Sequence, residues 1–169
     1  TVTFTLTAGE LDLSWDAGMI KPFFIVDNLN EYPDTTLGDG LCNDTTSVAS
    51  GIFGECSLRA AIEEANADPD FDIILFNGTV FSITQTIAQT SGYTITTSLW
   101  LSAPGSALLT LDGNDVTRIF LIKDKYDADV RLTGLTLIDG YAENDDWSDY
   151  GGAIYNSSAR LQLNDVVIN

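Results

Sequence analysis

Apolar and polar residues alternate along most of this chain. Val2, Phe4 and Leu6 alternate with threonines, and Leu11, Leu13 and Trp15 alternate with polar residues. A period of two predicts strands. "KPFFIVDN" predicts a third, so residues 1–26 form an N-terminal strand region. Further short runs rich in Ile, Leu, Val and Thr follow: "DIILF", "VFSIT", "YTITTSLWLSAP", "ALLTLDGN", "RIFLIK", "DVRLTGLTLIDG", "GGAIYN" and "ARLQLNDVVIN". One stretch breaks the rhythm. In "GECSLRAAIEEANADPD", from Gly54 to Asp70, Leu58, Ala61, Ile62 and Ala65 fall at i, i+3, i+4 and i+7. That spacing predicts a helix, with Ser57 as N-cap and Asp68-Pro69 as its stop.

The strands repeat. Val130, Leu132, Leu135 and Leu137 are matched by Leu161, Leu163, Val166 and Ile168, an offset of about 31 residues. The corner pairs are Thr133-Gly134 and Asn164-Asp165. No helices separate the runs, which excludes a doubly wound α/β fold. The pattern predicts an all-β right-handed parallel β-helix, a solenoid, with "YAENDDWSDY" inserted in one turn. A β-sandwich is the rival, because Asn77-Gly78 and Asp112-Gly113 suit hairpin turns. An open solenoid end exposes apolar core and strand edges. The apolar face of the lone helix therefore has a purpose: Leu58, Ile62 and Ala65, with Arg59 at the border, form a structural cap over the first coil. At 169 residues one domain is expected. Residues 27–70 form the loop and capping helix, and residues 71–169 the coils.

Composition narrows the chemistry. Seven basic against 25 acidic residues give a net charge of −18. Phosphates would be repelled, which argues against a nucleic-acid partner. No histidine is present, which removes the Ser-His-Asp triad and most zinc or copper sites. No apolar run is long enough for a membrane span. The two cysteines, Cys42 and Cys56, are more simply read as a disulfide than as two buried thiols, and a disulfide implies an oxidising compartment. It would tie down the irregular stretch from Asn28 to Glu55. A first residue that is not Met fits secretion after removal of a signal peptide, or a trimmed chain.

"GDGLC", then "ECSLRAAIEEANA", then "FDIILF" resembles the N-terminal CSLREA-type domain of secreted right-handed β-helix proteins, the adhesin and autotransporter-like group. "LWLSAPGSALLTLDGN", "RIFLI", "VRLTGLTLIDG" and "GGAIYN" are similar to its downstream coils. The resemblance spans roughly residues 25–169, with Ala60 where the motif carries Glu, and residues 1–24 have no counterpart in it. It implies an extracellular or cell-surface protein and identifies no reaction.

Candidate sites are few. Asp34, Asp39 and Asp44 lie in one loop and are the type of residue calcium takes; the alternative is a solvated acidic loop held by the disulfide. In "YAENDDWSDYGG", Tyr141, Trp147 and Tyr150 lie beside Asp145, Asp146 and Asp149, a mixture that stacks on sugars and bonds their hydroxyls. Glycosidase chemistry needs two opposed carboxyls, for which Asp139 and Asp149 are candidates. Arg118, Lys123, Lys125 and Arg131 are interleaved with Asp124, Asp127 and Asp129, so a lyase base is less well supported than a solvated corner. Arg59 is either an anion ligand or a structural arginine paired with a carboxylate or loop carbonyls. Asn43, Asn77 and Asn156 head glycosylation sequons.

The expected function is non-catalytic: an extracellular structural or adhesive module that assembles with itself, head to tail, into filaments through strand edges. The alternative is a carbohydrate-binding or carbohydrate-active β-helix fragment acting on surface carbohydrate. Nothing after "LNDVVIN" caps the apolar stack. Three explanations follow: a longer solenoid, a different cap, or an assembly surface to which "TVTFTLT" of a neighbour could add.

Overall fold

A computed structural model describes residues 23–43, 55–123, 128–142 and 151–169. The expected N-terminal runs before residue 23 lie outside them. Among the described residues there are ten strands and one α-helix: β1 Phe24–Val26, α1 Leu58–Ala67, β2 Asp72–Phe76, β3 Gln85–Ala88, β4 Tyr93–Ile95, β5 Leu99–Ser102, β6 Leu109–Asp112, β7 Phe120–Ile122, β8 Asp129–Ile138, β9 Ile154–Asn156 and β10 Arg160–Ile168. Every pairing between these strands is parallel. The sandwich rival fails on this point, since Asn77-Gly78 and Asp112-Gly113 join no antiparallel hairpin. The strands make a curled seven-stranded sheet and a separate three-stranded sheet, β4-β7-β9.

The pairing follows from the alternation. Inward residues stack on inward residues in successive passes of the chain. Ile74 lies beside Leu101, Leu101 beside Leu132, and Leu132 beside Leu163. A second ladder runs Ile87, Leu111, Leu137, Ile168. Tyr93, Phe120 and Ile154 form a third. Each fully buried residue of these ladders removes a large aliphatic or aromatic side chain from water, roughly 1.5–3 kcal/mol apiece. The repeat read from the sequence is present in this register, Val130 to Leu161 and Leu137 to Ile168.

β8 and β10 bend where Gly134 and Asp165 take positive φ, +75° and +51°. A Cβ at Gly134 would meet the Ala103 carbonyl oxygen at 2.6 Å, so glycine suits that corner on both counts. Asp165 tolerates the same bend because its carboxylate accepts from the Ser106 Oγ at 2.7 Å and the Ser106 N–H at 3.1 Å.

Two expected strands differ. "VFSIT" is not a strand: Val80–Ser82 forms a 3₁₀ turn. The Asn77 side chain accepts from the Thr79 N–H at 2.9 Å, an Asx turn that starts the bend. The Phe81 ring then packs edge-on against Phe76, with centroids 5.0 Å apart. "YTITTSLWLSAP" is two strands rather than one. Helix α1 breaks it, because Asn66 Oδ1 accepts from the Thr96 N–H at 2.8 Å and Thr97 Oγ1 donates to the Ala65 carbonyl at 3.1 Å.

At another corner, successive passes touch backbone to backbone. A Cβ at Gly140 would sit 2.5 Å from the Gly152 carbonyl oxygen. Gly140→Ala is therefore expected to cost at least about 2 kcal/mol in urea unfolding. Gly78→Ala, where nothing lies within 4 Å of the added carbon, serves as the control and should change stability by less than about 0.5 kcal/mol. Equal effects at the two sites would contradict the close corner.

Candidate functional site

Two regions of the described chain carry unusual features: the helix-and-loop cap at β1, and the free edge of β10. The cap begins with helix α1. Ser57 Oγ accepts from the Ala60 N–H at 3.0 Å and donates to the Tyr32 carbonyl at 2.6 Å, joining the helix start to the loop. Leu58, Ile62 and Ala65 are buried as the sequence predicts, and α1 packs on β4, β1 and β2. Cys42 and Cys56 are joined in a disulfide, Cα atoms 5.2 Å apart and 14 residues apart in sequence. Beside it Asp27 Oδ1 accepts from the Cys56 N–H at 2.8 Å, so β1 and the helix start share one anchor.

Carboxylates hold the loop. Glu64 Oε2 accepts from the Gly38 N–H at 2.6 Å, and its Oε1 accepts from the Gly40 N–H. Glu63 Oε2 accepts from the Asp34 N–H at 2.9 Å. Asp34 Oδ1 accepts from the Asn43 N–H and Asp39 Oδ1 from the Leu41 N–H, both at 2.9 Å. Two of the three aspartates of the calcium expectation thus satisfy loop amides, while Asp44 lies outside the described residues. Among the described residues no group of three His, Cys, Asp or Glu side chains gathers as a metal site would.

Arg59 is paired with a carboxylate and a loop carbonyl. Its guanidinium meets Glu31 Oε2 at 2.6 Å and the Ser91 carbonyl at 2.6 Å. It also stacks over the Tyr93 ring, 5.0 Å from the centroid. The Tyr93 hydroxyl donates to Glu31 Oε1. Burial raises the Tyr93 pKa well above its ordinary value, so it stays a proton donor. Burial also raises the Glu31 pKa, against the Tyr93 hydrogen bond and Arg59, with the charge of Glu63 adding to the rise. Burial likewise raises Glu64, against the Gly38 and Gly40 amides, with Asp34 and Asp39 reinforcing it. Glu64 and Tyr93 are not among the residues the sequence singles out, and Glu31, which lies near the expected calcium loop, serves Arg59 and Tyr93. The signal for Glu64 was present: a "GDG" loop offers adjacent backbone amides, and the helix carries two glutamates at its middle.

Of the other expected residues only some are described. Tyr141 is exposed, and Asp145, Asp146, Trp147, Asp149 and Tyr150 lie outside the described residues. Arg118 donates to the Gly151 carbonyl at 2.9 Å and lies over Tyr155, whereas Arg131 pairs with Asp129 at 2.8 Å; Lys125 is not described. Asn156 Nδ2, the atom a glycan would occupy, donates to the Ala159 carbonyl at 2.9 Å. Asn77 uses its side chain in the turn described above, and Asn43 is half-buried.

The free edge of β10 is the second region. β10 pairs only with β8 among the described strands. Leu163 and Ile168 continue the two aliphatic ladders, yet they are 46% and 51% exposed, where Leu132 and Leu137 beneath them are 0% exposed.

Among the described residues no helix is long and apolar enough to cross a membrane. No protein-family model, curated protein or solved structure matches the chain.

Two outcomes follow from the cap. Replacing both cysteines by serine is expected to cost about 3 kcal/mol in urea unfolding, the scale for a loop of this length; a loss under about 0.5 kcal/mol would contradict the tether. Acidification should act in the opposite direction. Glu31 and Glu64 have folded pKa values raised above the ordinary 4.5. Their protonated forms contribute stability that is full below the unfolded value and is lost as pH rises through the folded one. Asp129 and Asp165, lowered below 3.8 chiefly by hydrogen bonds from Arg131 and Ser106, do not titrate in that window. The urea midpoint should therefore rise as pH is lowered from about 7 to about 5. Glu31→Gln should flatten the slope, and a falling midpoint would refute the assignment.

Proposed function

We propose that this chain is a non-catalytic structural module of an extracellular solenoid. It is a right-handed parallel β-helix, closed at one end by α1 and the disulfide-tied loop, which assembles with a second copy of itself through the free edge of β10. The exposure of Leu163 and Ile168 above two fully buried ladders carries this reading. Covering them again would contribute roughly 1 kcal/mol each from apolar burial alone. The hand is the one that parallel crossover connections adopt in nearly all proteins. The disulfide fits an oxidising, extracellular setting.

The chemistry of the second chain's contribution follows from the edge. It must be a strand with apolar residues at alternate positions, and Val2, Phe4 and Leu6 provide one. Addition of one copy's first run to another's β10 is heterologous and propagates head to tail. A module of this kind leaves polysaccharides intact and needs no cofactor.

Sedimentation velocity over a range of concentrations tests it. The intact chain is expected to form assemblies that grow with concentration. Leu163→Glu, and separately Phe4→Glu, should raise the concentration needed by at least about tenfold. A chain that stays monomeric throughout, or a Leu163→Glu chain that assembles like its parent, would contradict the proposal.

A further inference from the structure

The outward face of the curled sheet is mostly polar, with isolated apolar residues and one place where apolar residues adjoin. Outward positions on β3, β6 and the second half of β8 are Thr86, Thr110 and Thr136 in one row and Ala88, Asp112 and Ile138 in the next. Those on the first half of β8 and on β10 are Arg131 with Thr133, Gln162 with Asn164, and a single exposed valine, Val167. On β1, β2 and β5 the pattern changes. Ile25 lies beside Leu75, and Ile73 lies beside Trp100. Phe23 immediately precedes β1 and Phe71 immediately precedes β2. Phe23 is 46% and Ile25 43% exposed, with Phe71 also exposed and Ile73, Leu75 and Trp100 half-buried. At its far side the strip ends on polar contacts: Trp100 Nε1 donates to Thr133 Oγ1 at 3.2 Å, and the Arg131 guanidinium lies over the Phe71 ring. An apolar strip with a polar border is what a covered face looks like.

We propose that this strip is the docking face for the second alternating run of the same chain, Leu11, Leu13 and Trp15. Three observations favour that occupant. The run ends seven residues before Phe23, at the edge of the strip itself. Those seven residues, "DAGMIKP", contain Gly and Pro turn signals that let the chain reverse. They reach about 20 Å when extended, while the strip is only about 10 Å across its three strands. The alternation also fits. Leu11, Leu13 and Trp15 fall on one side of a strand and Glu10, Asp12, Ser14 and Asp16 on the other, so the apolar side covers the strip while the acidic side faces water. The inference stands apart from the assembly reading, which uses the first run and the β10 edge.

Hydrogen exchange of the intact chain, read by mass spectrometry, tests it. Amides of residues 10–16 are expected to exchange at least about tenfold more slowly than in a free peptide of residues 1–22. That protection should survive dilution by about a hundredfold. It should be lost in Ile25→Glu and, separately, in Phe71→Ser, both exposed positions, while residues 130–137 stay protected and report an intact fold. Exchange at the free-peptide rate would overturn the proposal. So would protection that vanishes on dilution, which would assign the strip to a second copy. Protection unmoved by both substitutions would place the run elsewhere and overturn it as well.

Discussion

The stacking of inward aliphatic side chains, one pass of chain upon the next, is the constraint on which the other features rest. Ile74, Leu101 and Leu132 are all fully buried, and so are Ile87, Leu111 and Leu137. A parallel sheet joined by short crossings can bury such a row only if the corners hold the same register from pass to pass. That demand explains the glycines at the contact between residues 140 and 152, where a single added carbon would strike a carbonyl oxygen. It also explains the left-handed backbone at Gly134 and Asp165, which turns two strands at matching points.

Stacked passes bury each other but not the ends, and the first pass is covered in an uncommon way. Helix α1 supplies the apolar lid, while acidic side chains fix the loop beside it. Glu63, Glu64, Asp34, Asp39 and Asp27 each accept a backbone N–H. An irregular loop must satisfy its amides somewhere, and charged acceptors do so more strongly than neutral ones. The same residues contribute to a net charge of −18, which opposes compaction. The disulfide at Cys42 and Cys56 offsets part of that by limiting how far the loop can leave.

Much of this was legible in the alternation. The pairing of Val130–Leu137 with Leu161–Ile168 was readable because both runs share one spacing and one corner. The helix was readable because Ser57 and Pro69 bracket a period that strands do not show. Local competition hid the 3₁₀ turn, where Asn77 bonds its own neighbours and overrides the β-branched residues that follow. Distance in sequence hid the partners of Arg59. Glu31 lies 28 residues away, and no local pattern marks it as the acceptor for both Arg59 and Tyr93. The acidic loop was visible as a cluster, but charge alone does not distinguish metal ligands from acceptors of backbone N–H groups. The apolar strip on β1, β2 and β5 was hidden for a related reason. Outward and inward positions are told apart only after the strands are placed.

The most direct test of the parallel stack is solution NMR of nuclear Overhauser contacts between β8 and β10. The account requires backbone contacts that run in the same direction along both strands, from Val130 with Leu161 through Leu132 with Leu163 to Leu137 with Ile168. Contacts that run in opposite directions along the two strands, or none between them, would contradict it.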